Sequence, residues 1–237
     1  MNHSNCFSTQ PHCVGWLLMA LALMMPSLAL ATSEEWHFEV LLDDKPIGNH
    51  IFQLKQQGDT HLLNSQAEFD VKFLFFSAYN YSHKSEETWE KNCLNSITSS
   101  TDDNGKLYTV RGMRQDDEFL VETQNERSTL PACPMSFAYW NPQILDESWL
   151  LNSQTGEYVP VRVRNLGEAP FETQGKMVRA DRYQIEAKDM HIELWYSKQG
   201  RWLALESATD RGGTIRYRLT DTPSIAKQQT PWPGDSS

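Results

Sequence analysis

The chain lacks the sequence signatures of the common enzyme classes. There is no GxSxG elbow, no Walker loop and no GxGxxG, so hydrolase, nucleotide and dinucleotide readings have no motif behind them. His37, His50, His61, His83 and His191 stand singly, with no HExxH or HxH, and no metal site is expected from their spacing. The absence of CxxC removes a thiol–disulfide oxidoreductase. Asp102-Asp103-Asn104-Gly105 superficially resembles a calcium loop but lacks the alternating acids and the Glu at position 12, so a hairpin turn is the simpler reading. No cofactor is expected. Positive charge is scarce too. With 21 Lys and Arg against 31 Asp and Glu the net charge is −10, which argues against nucleic acid and against anionic lipid surfaces as partners.

The first 31 residues carry no Asp, Glu, Lys or Arg at all. The run VGWLLMALALMM (14–25) is broken by Pro26 and Ser27, and Ala29-Leu30-Ala31 puts small residues at −3 and −1. This is the order of a secretory signal peptide, with cleavage expected after Ala31 and export to the periplasm of a bacterial-type envelope. The alternative is an uncleaved anchor, because 14–31 just reaches the length of a membrane span; after cleavage no stable span is expected. The n-region is atypical, offering only the amino terminus, His3 and His12 as positive groups. No Cys follows at a lipidation position. Residues 32–220 are read as a single β domain, since about 200 residues suit one sandwich or barrel. Residues 221–237, with three Pro and few apolar side chains, are read as a disordered tail. Cys93 and Cys133 remain after cleavage. In an oxidising compartment they are expected to form one disulfide, with two buried free thiols as the alternative.

The body of the chain repeats a short alternating run followed by a turn. Such runs cover 36–42, 47–55, 93–101, 107–113, 119–123, 178–186, 192–197, 201–207 and 214–219. They are separated by turns such as Asp102-Asp103-Asn104-Gly105 and Lys198-Gln199-Gly200. Many strands at this spacing indicate an all-β sandwich or barrel. The segment 67–89 is different. Its odd positions hold Phe69, Val71, Phe73, Phe75, Tyr79, Tyr81, His83, Glu87 and Trp89, so period two places the aromatics on one face. At about 3.3 Å per residue it is too long for one strand, and a bend is expected near 76–78. One helix is expected to start after Asn141 as N-cap, with Pro142 at the first position, Leu145 and Trp149 on one stripe, and an end near Asn152. It should pack on the concave face or mouth of the sheet.

The stretch FDVKFLFFSAYNYSHKSEETWEKNCLNSITSSTDDNG, with YWNPQILDESWLLNSQTGE and LWYSKQGRWLALES, resembles an exported bacterial family known as domain of unknown function 6134. The likeness covers nearly all of the mature chain. It implies a strongly curved antiparallel sheet or half-open β-barrel, similar to envelope half-barrel families that include lipid and lipoprotein carriers. It supplies no catalytic residues. Together with the periodicity it gives the expected fold class: all-β with minor α, about 10–12 strands and one short helix.

Two readings of the aromatic stripe stay open. It is ordinary core under the helix, or it is the wall of a groove too wide for its own side chains to fill. The groove candidates are Phe73, Phe75, Tyr79, Tyr81, Trp140, Trp149 and Trp195, with polar rim candidates His83, Glu87, Asn141, Asn152 and Gln154. His83 could also act as a base with Glu86 or Glu87, although Glu86 belongs to the opposite face. Three functions follow in order: a periplasmic module binding a lipid or other amphipathic small molecule; an envelope protein–protein assembly module with a filled core; and an enzyme on a β scaffold.

Overall fold

A computed structural model describes residues 32–73, 76–188, 190–209 and 212–220, with the side chains of 73, 76 and 77 left out. The proposed signal peptide and the tail lie outside these residues. Fifteen strands are formed: β1 (Thr32–Leu42), β2 (Lys45–Gln57), β3 (Thr60–Phe73), β4 (Phe76–Glu90), β5 (Cys93–Asp103), β6 (Lys106–Gln115), β7 (Glu118–Thr123), β8 (Arg127–Pro131), β9 (Trp149–Leu151), β10 (Tyr158–Pro160), β11 (Arg162–Thr173), β12 (Lys176–Ala187), β13 (Met190–Ser197), β14 (Trp202–Ala208) and β15 (Thr214–Leu219). Thirteen join one antiparallel sheet in the order β11-β12-β13-β14-β15-β1-β2-β3-β4-β5-β6-β7-β8, and β9 and β10 form a separate hairpin. Every neighbouring pair is consecutive in the chain except β15 with β1, where Phe38 faces Leu219 and Leu42 faces Ile215. The sheet is not closed into a barrel, because β8 and β11 are its two edges.

Local chemistry explains the turns. Asn104 and Gly105 both take positive φ, and the Asp102 side chain accepts the Gly105 N–H at 2.6 Å, a two-residue hairpin of the type Asn-Gly favours. The long aromatic segment folds as the β3–β4 hairpin, with Phe73 facing Phe76. The chain therefore reverses between Phe73 and Phe76, just ahead of the bend expected near 76–78. Inside the strands the alternation is clean: Trp36, Phe38 and Val40 on β1, Phe52 and Leu54 on β2, and Leu63 and Ala67 on β3 are buried. They belong to one inner face.

The link from β8 to β11, residues 132–161, covers that inner face. Cys133 is disulfide-bonded to Cys93 at the start of β5, with Cα atoms 4.7 Å apart, and Leu94 N–H donates to Pro134 O at 3.3 Å. Met135, Ala138, Ile144, Leu150 and Leu151 join the same buried cluster as Trp36, Trp89, Phe119 and Trp202. Across the sheet, the Tyr196 hydroxyl donates to Tyr139 O at 2.8 Å. Gly156 takes φ of +78°, and a Cβ there would stand 2.5 Å from Thr123 Cγ2, so a glycine lets the link lie flat on β6 and β7.

The expected helix is shortened. Asn141 does cap it, accepting the Gln143 N–H at 3.1 Å with Pro142 next, but a 3-10 helix ends at Asp146. Glu147 is already extended, and Trp149 to Leu151 pair with β10. The reason lies in long-range backbone bonds. Leu151 N–H reaches Met135 O at 2.8 Å and Val161 N–H reaches Ser148 O at 2.9 Å, which a continued helix would forfeit. Strand geometry also buries both Leu150 and Leu151.

The disulfide closes a loop with a sequence separation of 40. Replacing both cysteines by serine is expected to lower stability by about 4 kcal/mol in the chain-entropy account, read as a fall in the urea midpoint with a steeper slope from the less constrained unfolded chain.

Candidate functional site

Register places four rows of inner-face residues side by side across β2 to β5. The first row holds Gly48, Phe69, Tyr81 and Asp103, the second His50, Ala67, His83 and Thr101, the third Phe52, Ser65, Ser85 and Ser99, and the fourth Leu54, Leu63, Glu87 and Ile97. A sheet face sealed by packing would carry apolar side chains at these positions. Here Ser65, His83, Ser85, Glu87, Ser99 and Thr101 are all buried.

Hydrogen bonds organise this strip. His50 contacts Tyr217 Oη through Nδ1 at 3.1 Å and Ser65 Oγ through Nε2 at 2.7 Å. His83 contacts Thr101 Oγ1 through Nδ1 at 2.7 Å. The small Ala67 stands between the two histidines. Burial, reinforced for His50 by the neighbouring His83, holds the His50 imidazole well below its ordinary range. Burial also pushes His83 down to about 4, so both rings are neutral near pH 7. Beside them Tyr81 donates to Gln154 Oε1 at 3.1 Å, Gln154 Nε2 reaches Asp103 at 3.3 Å, and Tyr79 donates to Asp103 at 2.7 Å. Phe69 stacks on Tyr81 with centroids 5.2 Å apart.

Phe69, Tyr81, Tyr139, Tyr217 and His50 are only half-buried, although burial dominates the raised phenol pKa of Tyr81, Tyr139 and Tyr217. The other end of the same face is filled, with Trp89, Ile97 and Phe119 almost wholly buried against the link.

The sequence-derived candidates divide accordingly. Tyr79, Tyr81 and Gln154 come together around Asp103. Phe73 and Phe75 lie outside the described side chains. Trp140 packs edge-on against Trp89 in the filled end, its Nε1 buried without a partner among the described residues. Trp149 is 46% exposed and stacks on Tyr158, because the strand that replaces the helix turns it outward. Trp195 sits on the opposite face in a separate cluster with Ala180, Leu203 and Ala204, stacked on Phe171, so it is not part of this wall. Asn141 and Asn152 cap turns, Asn152 accepting the N–H of Gln154 at 2.8 Å and Thr155 at 3.2 Å. His83 and Glu87 are buried and so do not form a rim. They stand about 13 Å apart along β4 and contact different partners, which rules out a shared base–carboxylate pair. His50, Ser65, Phe69, Thr101, Tyr139 and Tyr217 were not candidates. The available signal for His50 was its parity, which it shares with the inward Phe52 and Leu54. Among the described residues no three His, Cys, Asp or Glu side chains converge to hold a metal ion, and no helix is long and apolar enough to cross a membrane.

The fold and its interior define an open, barrel-like all-β module whose inner face is covered by its own connecting link. The chain belongs to the family described as domain of unknown function DUF6134, whose model matches residues 38–220. A solved structure, the beta-barrel-like protein of domain of unknown function DUF1849 from Brucella abortus, is similar in fold. Its TM-score is 0.61 at 10% identity, over 82% of this chain and 98% of that one. No curated protein matches the chain.

Glu87 gives a pH test of the filled end. Its carboxyl accepts from Trp89 Nε1 at 3.0 Å and Ser136 Oγ at 3.2 Å, yet burial outweighs these bonds and raises its pKa from 4.5 to about 7. The folded state therefore holds a proton that the unfolded chain releases above about pH 4.5. Stability is full below that pH and falls as pH rises toward and through about 7. Glu87→Gln removes this dependence. Between pH 5 and pH 8 the wild type should lose on the order of 3 kcal/mol more than the variant in denaturant unfolding; parallel curves would refute the assignment.

Proposed function

We propose that the protein is an exported binding module that takes one amphipathic small molecule in a recess of its inner face, lined by the half-buried His50, Phe69, Tyr81, Tyr139 and Tyr217. The observation that supports this reading is the combination of enclosure and accessibility at His50, Tyr139 and Tyr217, next to the stacked Phe69–Tyr81 pair. An apolar body would lie on the aromatic rings. Its polar end would meet the hydroxyls and imidazoles of β2 to β5. Mostly apolar walls with a few convergent polar groups are the usual composition of small-molecule sites. Export rests on the leader sequence and is compatible with the Cys93–Cys133 disulfide.

The assembly-module reading receives less support. The free edges carry features that discourage strand addition: β8 is five residues long and ends in Pro131, and β11 contains Pro170 and a register break between Asn165 and Gly167.

Native mass spectrometry of protein purified from the periplasm without detergent, followed by solvent extraction, tests the proposal. A reproducible adduct of lipid-like mass is expected, and Phe69→Ser should abolish it. A clean apo mass from the wild type would overturn the proposal.

A further inference from the structure

We propose that the recess selects an uncharged polar group, a hydroxyl, ester or amide on an apolar chain, and excludes anionic headgroups. This rests on the binding reading above and names its ligand class. The argument is one of missing cations. The buried polar side chains of the wall are Ser65, His83, Ser85, Ser99 and Thr101, and no Lys or Arg is buried anywhere among the described residues. His50 and His83 meet hydroxyl partners, not acids, so nothing there holds either ring charged. The acidic side chain of Asp103 stands in the same row as Tyr81, tied to Tyr79 and Gln154. A carboxylate or phosphate drawn into this site would give up its water without gaining a positive partner, a cost of several kcal/mol per ion. A neutral hydroxyl or ester gives up less and regains its hydrogen bonds from the wall.

The wall also has unused capacity. The Tyr139 hydroxyl makes no hydrogen bond among the described residues, whereas its main-chain carbonyl is engaged by Tyr196. Its ring packs near Trp202 at 5.4 Å, so the phenol is held in place while its oxygen stays free to donate. Tyr81 and Tyr217 lie within electrostatic reach of it; the Tyr81 hydroxyl is committed to Gln154 and that of Tyr217 to His50, so the Tyr139 phenol is the donor left for a neutral oxygen acceptor.

The test is calorimetric titration of the detergent-free full mature chain with two probes of equal chain length, 1-decanoylglycerol and decanoate, at pH 7.5. The glycerol ester is expected to bind at least tenfold tighter. Tyr139→Phe removes one free hydroxyl and no internal hydrogen bond, so the variant should fold normally and bind the ester about tenfold more weakly. Decanoate binding as tightly as the ester, or more tightly, would overturn the selectivity while leaving the binding reading intact. If neither probe binds, the binding reading itself fails. An unchanged ester affinity in Tyr139→Phe would overturn the role of the free phenol.

Discussion

The pairing of β1 with β15 holds the molecule together. Each half of the sheet is a simple meander, β1 to β8 and β11 to β15, and either could form from local hairpins. Only the β1–β15 ladder, with Thr220 N–H reaching His37 O at 2.8 Å and Arg218 paired to Glu39, makes them one surface. It joins residues about 180 positions apart in the chain, so its loop-closure cost is met only when the apolar inner face is buried at the same time. Trp36 shows the coupling: it lies on β1 and its indole N–H donates to Trp202 O of β14 at 3.2 Å, within the shared cluster.

That requirement explains the link between the halves. A sheet of thirteen strands that does not close leaves a broad inner face, and 132–161 must cross it to pass from one edge to the other. The disulfide fixes its entry beside β5, Ser136 bonds Glu87 on β4, and Ser99 donates to Ser153 O further along. Met135, Ile144, Leu150 and Leu151 supply the apolar volume. The link does not cover the whole face equally. Near Ser153 and Gln154, the strands opposite carry Ser99 and Tyr81, which bond them. The filled and open ends of the interior are thus two compositions of the same four rows.

Sequence periodicity was a good guide wherever one face met the core. The β1, β2 and β13 to β15 runs, the Asn-Gly hairpin, the aromatic face of β3 and β4, and the shared side of His83 and Glu87 all follow from period two and turn chemistry. The failures have a common cause. Strands β8 to β11 are short or largely exposed, so they show little alternation, as the burial of β11 illustrates. The helix was read from a proper cap, but a cap specifies a start and not a length. Trp195 has the composition of a groove residue and sits on the other face, where its parity against the inward Ile192, Leu194 and Tyr196 puts it. His50 was missed for the opposite reason: one histidine in an apolar parity looks like a satisfied core residue until Ser65 and Tyr217 are seen to meet it.

The polar strip is costly for the fold. Neutral His50 and His83 lose their advantage as acid protonates them, and Glu87 loses its own as alkali ionises it, so the two ends of the face set opposing pH limits on stability. Apolar residues at these positions would remove both limits and pack at least as well. The binding function proposed above accounts for hydroxyls and imidazoles at these positions, because such a surface would have to meet something other than its own side chains. Among the described residues no Lys or Arg is buried, so the wall can exchange hydrogen bonds but cannot compensate a charge.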